Sequence, residues 1–217
     1  MKEVSVDIIA AVVDRSGSMY SIKGDAEGGL NAFLEEQKNQ GNARLTLAEF
    51  DGEYDVVHNN MDISLFEGYT LNPRGGTALY DAIGKTAASV KTIQATGKKV
   101  FVIVTDGGEN ASKEWTSKKA IFEMIEEMKD DGWEIMFIGA DEKAMDEARS
   151  LGVDANTTFM MNTNVKGAAQ DMYGAVSAYT TSIRGGLSKS AAVADMDETI
   201  AKSGGALRKR GVNLEES

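Results

Sequence analysis

Runs of aliphatic and β-branched residues alternate along the chain with stretches whose apolar positions recur at helical spacing. The first run, residues 4–13 (VSVDIIAAVV), is apolar at nearly every position, as expected of a central strand covered on both faces. After the loop DRSGSM, residues 22–39 carry Ile22, Ala26, Leu30, Phe33 and Leu34 at helical intervals, and the helix should stop near Gly41. ARLTLAEF (43–50) and EYDVVHN (53–59) flank Asp51-Gly52, a strong short-range signal for a hairpin. The segment 53–59 is therefore expected to run antiparallel to 43–50 at the edge of a sheet. Turn residues in NPRGGT lead to a predicted helix at 78–94, a second buried strand at 98–105 and the loop DGGEN. A helix at 116–130, a strand at 133–140, a helix at 141–151, a short strand at 157–161 and a helix at 165–183 follow.

Strands alternating with helices imply right-handed crossovers and a sheet covered by helices on both faces. The expected fold is α/β: a Rossmann-like three-layer αβα sandwich, with a mostly parallel six-stranded sheet and one antiparallel edge strand. Apolar density falls after Arg184-Gly185-Gly186. Residues 1–183 are therefore read as one domain, and 184–217 as a C-terminal extension, partly helical, with one helix at about 189–202.

Composition narrows the class. A chain of 217 residues buries a sizeable core without needing disulfides or a metal. Lys and Arg number 23 against 34 Asp and Glu, and the net charge of −11 would repel a phosphate backbone, so no nucleic-acid partner is expected. The short basic cluster Arg208-Lys209-Arg210 is read as solvated surface. The absence of cysteine excludes disulfides, thiolate catalysis and Cys-ligated zinc. No segment approaches the roughly 20 apolar residues of a membrane span, and acidic residues flank the N-terminal apolar run. The expectation is a cytoplasmic protein that does not engage membranes.

The chemistry gathers in three loops that leave the carboxyl ends of strands or precede a helix, where open α/β sheets bind ligands. The first holds Asp14, Ser16 and Ser18, the second Gly75-Gly76-Thr77, the third Thr105-Asp106-Gly107-Gly108. Two carboxylates and three hydroxyls form an all-oxygen set that suits Mg²⁺, Mn²⁺ or Ca²⁺ and poorly suits zinc or copper. The i, i+2, i+4 spacing of Asp14, Ser16 and Ser18 lets one tight loop aim three oxygens at one point, with Gly17 freeing the backbone.

DRSGSM resembles the D-x-S-x-S signature of von Willebrand factor type A (VWA, integrin I-like) domains. GGT before a helix and a strand ending in TDG fall where that family places them, and the resemblance spans roughly residues 4–183. The resemblance implies a metal-ion-dependent adhesion site (MIDAS) of Asp14, Ser16, Ser18, Thr77 and Asp106. It implies direct contact from Ser16, Ser18 and Thr77, and support from Asp14 and Asp106 through water or hydrogen bonds. Largely neutral ligation would leave the cation electrophilic, ready for the Asp or Glu carboxylate of a protein partner. The resemblance also implies an alternative, a scaffold or assembly factor that binds a partner such as an AAA-type ATPase without metal. Compact acidic forms suggest a bacterial or phage source. In some VWA domains the C-terminal helix slides; residues 165–183 occupy that place, and Gly185-Gly186 fits either movement or an ordinary helix stop.

No enzymatic role is expected. A D-x-D phosphotransfer site would also follow the first strand, but Ser16 stands where its second acid belongs, and neither a Walker A motif nor G-x-G-x-x-G after a strand occurs. A Ser-His-Asp triad would need His58, in the predicted edge strand away from the three loops. A metal-dependent hydrolase is the least favoured alternative. Arg15 is expected to point outward, where it could meet a partner carboxylate. Thr77 also stands where it could cap a helix starting at Ala78. Glu109 and Asn110 are read as solvated surface, Asp141-Glu142 as complements to a helix dipole, and Met124, Met128, Met160 and Met161 as core filler.

Overall fold

The computed structural model describes residues 5–161 and 168–202. Every residue of the first strand, β1 (Asp7–Asp14), is buried. Successive side chains of a strand face opposite sides, so this one strand feeds two cores. Ile9, Ala11 and Val13 enter one, Ile8, Ala10 and Val12 the other. A 3₁₀ turn (Gly17–Ile22) leads from the loop into α1 (Lys23–Asn39), so the helix predicted from residue 22 is preceded by a tighter turn built from the motif itself. The hairpin forms as expected from β2 (Ala43–Phe50) and β3 (Tyr54–Asp62), with β3 reaching three residues beyond the predicted end.

The remaining elements are α2 (Leu79–Lys91), β4 (Lys99–Thr105), α3 (Lys118–Asp130), β5 (Trp133–Gly139), α4 (Glu142–Ser150), β6 (Thr158–Met160), α5 (Ala168–Arg184) and α6 (Lys189–Lys202). Residues 165–167 of the predicted helix and the basic cluster at 208–210 lie outside the described residues. The six strands lie in the order β3-β2-β1-β4-β5-β6, all parallel except β3. Residues of α1, α5 and α6 pack on one face and residues of α2, α3 and α4 on the other, which makes the expected three-layer sandwich. Each fully buried Leu, Ile or Phe in these layers contributes about 1.5–3 kcal/mol.

Two contacts fix the helices on the first face. Gly29 of α1 lets the Tyr173 ring of α5 approach so closely that a Cβ there would lie 1.9 Å from a ring carbon. At the end of α5, the Arg184 side chain is buried and bonds Asp7 Oδ2 at 2.8 Å and the Gln37 carbonyl at 2.8 Å, and also donates to the Gly41 carbonyl. Gly186, at φ +88°, then ends the helix, with the Leu187 amide donating to the Ser182 carbonyl. The chain turns back into α6, whose Ala192 and Met196 join the core beneath α5. No helix among the described residues is long and apolar enough to cross a membrane.

Candidate functional site

Strand order reverses at β1: the chain moves outward to β2 on one side and returns to β4 on the other. The crevice beyond the carboxyl ends of these two strands is where an open α/β sheet leaves backbone groups and side chains free to converge. Asp14 is the last residue of β1, and Thr105 the last of β4.

Asp14 is fully buried. One carboxylate oxygen accepts from the Ser16 amide at 2.6 Å and the other from the Thr105 hydroxyl at 2.6 Å. The Ser16 and Ser18 hydroxyls lie 3.0 Å apart, and the Ser18 hydroxyl donates to Asp106 Oδ1 at 2.8 Å. Four of the five expected residues thus form one continuous chain of hydrogen bonds from the core to the surface: Asp14 and Ser16 are buried, Asp106 half-buried and Ser18 exposed.

Thr77 is brought in by its neighbours. The Gly17 amide donates to the Gly75 carbonyl at 3.2 Å, which seats the second loop on the first. The Thr77 amide donates to Asn110 Oδ1 at 2.9 Å, and the Thr77 carbonyl accepts from the Asn110 and Ala111 amides. Asn110 therefore grips the Thr77 backbone from both sides. Asn110 is exposed, as its sequence context suggests, yet its side chain is tied to the second loop. Glu109 is engaged as well, accepting from the amides of Tyr80, Ala111 and Ser112. Thr77 does not cap the helix, because α2 begins at Leu79 and its cap position, Ala78, carries no capping side chain. Asp141 has the role expected of a helix-terminal acid, accepting from the Ala144 amide at 2.8 Å.

Arg15 also departs from expectation. It is 5% exposed and turns inward, with Nη1 2.5 Å from Glu49 Oε1 and Nη2 2.5 Å from Asp55 Oδ2. Three carboxylates of the β2–β3 hairpin lie within reach, so inward burial offers the guanidinium a paired environment that solvent does not improve. Thr105 and Asn110 are the positioning residues that residue type alone did not reveal. The signal was the strand-end position of Thr105, directly beside the acid that follows it.

Charge in this cluster is held against its preference. Burial is the main cause that pushes the Asp14 carboxyl up to about 6; the Thr105 and Ser16 hydrogen bonds oppose it, and Asp106 adds repulsion. Burial likewise raises Asp106, opposed by the Ser18 hydroxyl and reinforced by Asp141. Two carboxylates that resist ionisation, joined through hydroxyls, are an oxygen set that a hard cation would neutralise. Among the described residues no three His, Asp or Glu side chains converge as metal ligands, so a cation here would depend on the hydroxyls. His58 lies on β3, half-buried and edge-on to Phe66, with Nε2 unpartnered.

The parallel sheet with its antiparallel edge hairpin, and the loops at its switch point, define the von Willebrand factor type A fold. No family model matches the sequence, and none of the curated proteins matches it. Among solved structures, the chain is similar to the vWF domain of the type V pili tip protein Mfa5 from Porphyromonas gingivalis (12% identity, TM-score 0.58), covering 97% of this chain and 99% of that one. It is similar to proximal thread matrix protein 1 from the mussel byssus, solved with a zinc-occupied MIDAS motif (16% identity, TM-score 0.59), over 80% of this chain and 46% of that one. It is also similar to a von Willebrand factor type A protein from Catenulispora acidiphila (14% identity, TM-score 0.58), over 82% of this chain and 43% of that one. The chain thus spans less than half the length of the last two.

Proposed function

We propose that this protein is a divalent-cation-dependent protein-binding module without catalytic activity, its cation held by Asp14, Ser16, Ser18, Thr77 and Asp106. The observation that carries the reading is the hydrogen-bonded chain Asp14–Ser16–Ser18–Asp106 at the switch point of the sheet. A bound divalent cation, with Mg²⁺ favoured by the hard oxygen set, would supply an electrophilic centre for an incoming carboxylate. Ser16, Ser18 and Thr77 contribute neutral oxygens, which leaves that positive charge largely intact. Asp14 and Asp106 supply compensating charge, and Thr105 holds the Asp14 carboxylate in one orientation. The partner is a protein that presents an Asp or Glu side chain. Tyr20, 77% exposed on the turn that carries Ser18, offers that partner an aromatic contact. Support also comes from the fold shared with pilus-tip and adhesin structures and from the mussel protein's metal-occupied motif.

Calorimetry with Mg²⁺, Mn²⁺ and Ca²⁺ on chelator-stripped protein tests the reading. Wild type should bind at least one of them and Asp14→Ala none. A wild type that binds no divalent cation overturns it.

A further inference from the structure

An ionic cluster joins the first and second loops to the β2–β3 hairpin. Arg15 is the variable position inside the D-x-S-x-S segment, between Asp14 and Ser16. Its guanidinium spans Glu49 near the end of β2 and Asp55 at the start of β3, while its buried Nε, which makes no hydrogen bond, lies 3.5 Å from Asp51 Oδ2. Tyr69 donates to the second oxygen of Glu49 at 2.9 Å and fixes that carboxylate. Asp51 reaches the second loop: its Oδ2 accepts from Arg74 Nε at 2.7 Å, and its carbonyl accepts from the Ala78 amide at 2.7 Å, one residue past Thr77. The Arg74 amide donates to the Arg15 carbonyl at 2.6 Å, closing the circuit between the first and second loops. Gly75, at φ +69°, has no room for a side chain without displacing Asp51, whose carboxylate and Cβ would lie 3.1 Å from an added Cβ.

We propose that Arg15 and Asp51 are positioning residues: their ion cluster clamps the β2–β3 hairpin against the first and second loops and so presets where Ser16, Ser18 and Thr77 stand. Neither residue needs to touch the cation. Only a planar fork can engage Glu49 and Asp55 at once, so Arg is required where Lys would keep the charge. This inference deepens the cation-binding reading and rests on it for its affinity arm alone.

The test uses the full chain with Arg15→Lys and Asp51→Asn, and Arg149→Lys on the exposed end of α4 as control. Mn²⁺ affinity is measured by calorimetry. Residue-resolved amide exchange is measured on metal-free protein. Loss of such a supporting partner typically weakens metal affinity roughly 10–100-fold. Arg15→Lys and Asp51→Asn should therefore weaken Mn²⁺ binding about tenfold or more, with faster exchange at Arg74 and Ala78, unchanged exchange in β4 and β5, and a wild-type control. Unchanged Mn²⁺ affinity in both variants overturns the inference. So does exchange that accelerates equally across the whole sheet, which would mark a merely structural role. If wild type binds no Mn²⁺, the functional reading has failed and exchange alone decides: selective loosening at Arg74 and Ala78 upholds the clamp, and wild-type protection there overturns it.

Discussion

Replacing Asp14 by asparagine should stabilise the metal-free protein while removing its capacity to bind a cation. The side chain is fully buried, and burial lifts its carboxyl from the ordinary 3.8 to about 6. At neutral pH the folded chain must nonetheless carry that charge. A gap of roughly two pH units at 1.36 kcal/mol each corresponds to about 3 kcal/mol against the folded state. Asparagine removes the charge and keeps the bonds. Its carbonyl can accept from the Ser16 amide, and its amide can donate to the Thr105 hydroxyl, whose proton then turns to the Gly107 carbonyl 3.1 Å away.

For a chain of 217 residues, about 3 kcal/mol corresponds to a rise in Tm of roughly 6–12 °C. The sign of the pH dependence follows from linkage. A carboxyl whose folded value lies above its unfolded value keeps its proton longer in the folded state, so wild-type stability falls as pH rises from about 4 to 6. The advantage of Asp14→Asn should thus be greatest at pH 7 and fade towards pH 4. Thermal denaturation of stripped protein across that range, with and without Mg²⁺, is the assay. A lower Tm for Asp14→Asn at pH 7, or an advantage that does not change with pH, would refute the reasoning. Mg²⁺ should raise the wild-type Tm and leave the variant where it was.

Other outcomes follow from single contacts. Thr105→Val keeps the shape but removes the donor to Asp14, and should weaken cation binding roughly tenfold or more by calorimetry. Asn110→Ala leaves the buried Thr77 amide without its acceptor, and urea unfolding should show a loss of about 1–3 kcal/mol. Arg184→Met strands buried Asp7 without its cation; a loss of about 3 kcal/mol or more is expected in the same assay, and an unchanged midpoint would mean the end of α5 is not held there. Gly29→Ala drives a methyl into the Tyr173 ring and should destabilise by about 1–3 kcal/mol, whereas Tyr173→Phe removes a buried hydroxyl unpartnered among the described residues and should raise stability by about 1 kcal/mol.

The elements and the loops that carry the hydrogen-bonded cluster were legible in the chain alone, because both depend on local patterns. The apolar run of VSVDIIAAVV marked a strand buried on both faces, realised from Asp7 onward, Asp51-Gly52 marked the hairpin, and Asp14, Ser16 and Ser18 are held together by two-residue spacing within one loop. Position at the ends of buried strands was enough to single out Asp106 and its loop. Whatever depended on partners distant in the chain emerged only once the sheet was assembled. Arg15 reads as a surface cation until β2 and β3 bring Glu49, Asp51 and Asp55 around it from 34 to 40 residues away. Asn110 is exposed as its sequence context suggests, but its hold on the Thr77 backbone exists only because the third loop is set beside the second. The reason is physical: strand and helix periodicity are written in neighbouring side chains, whereas the environment of a charge or an amide is set by which strands the sheet places side by side.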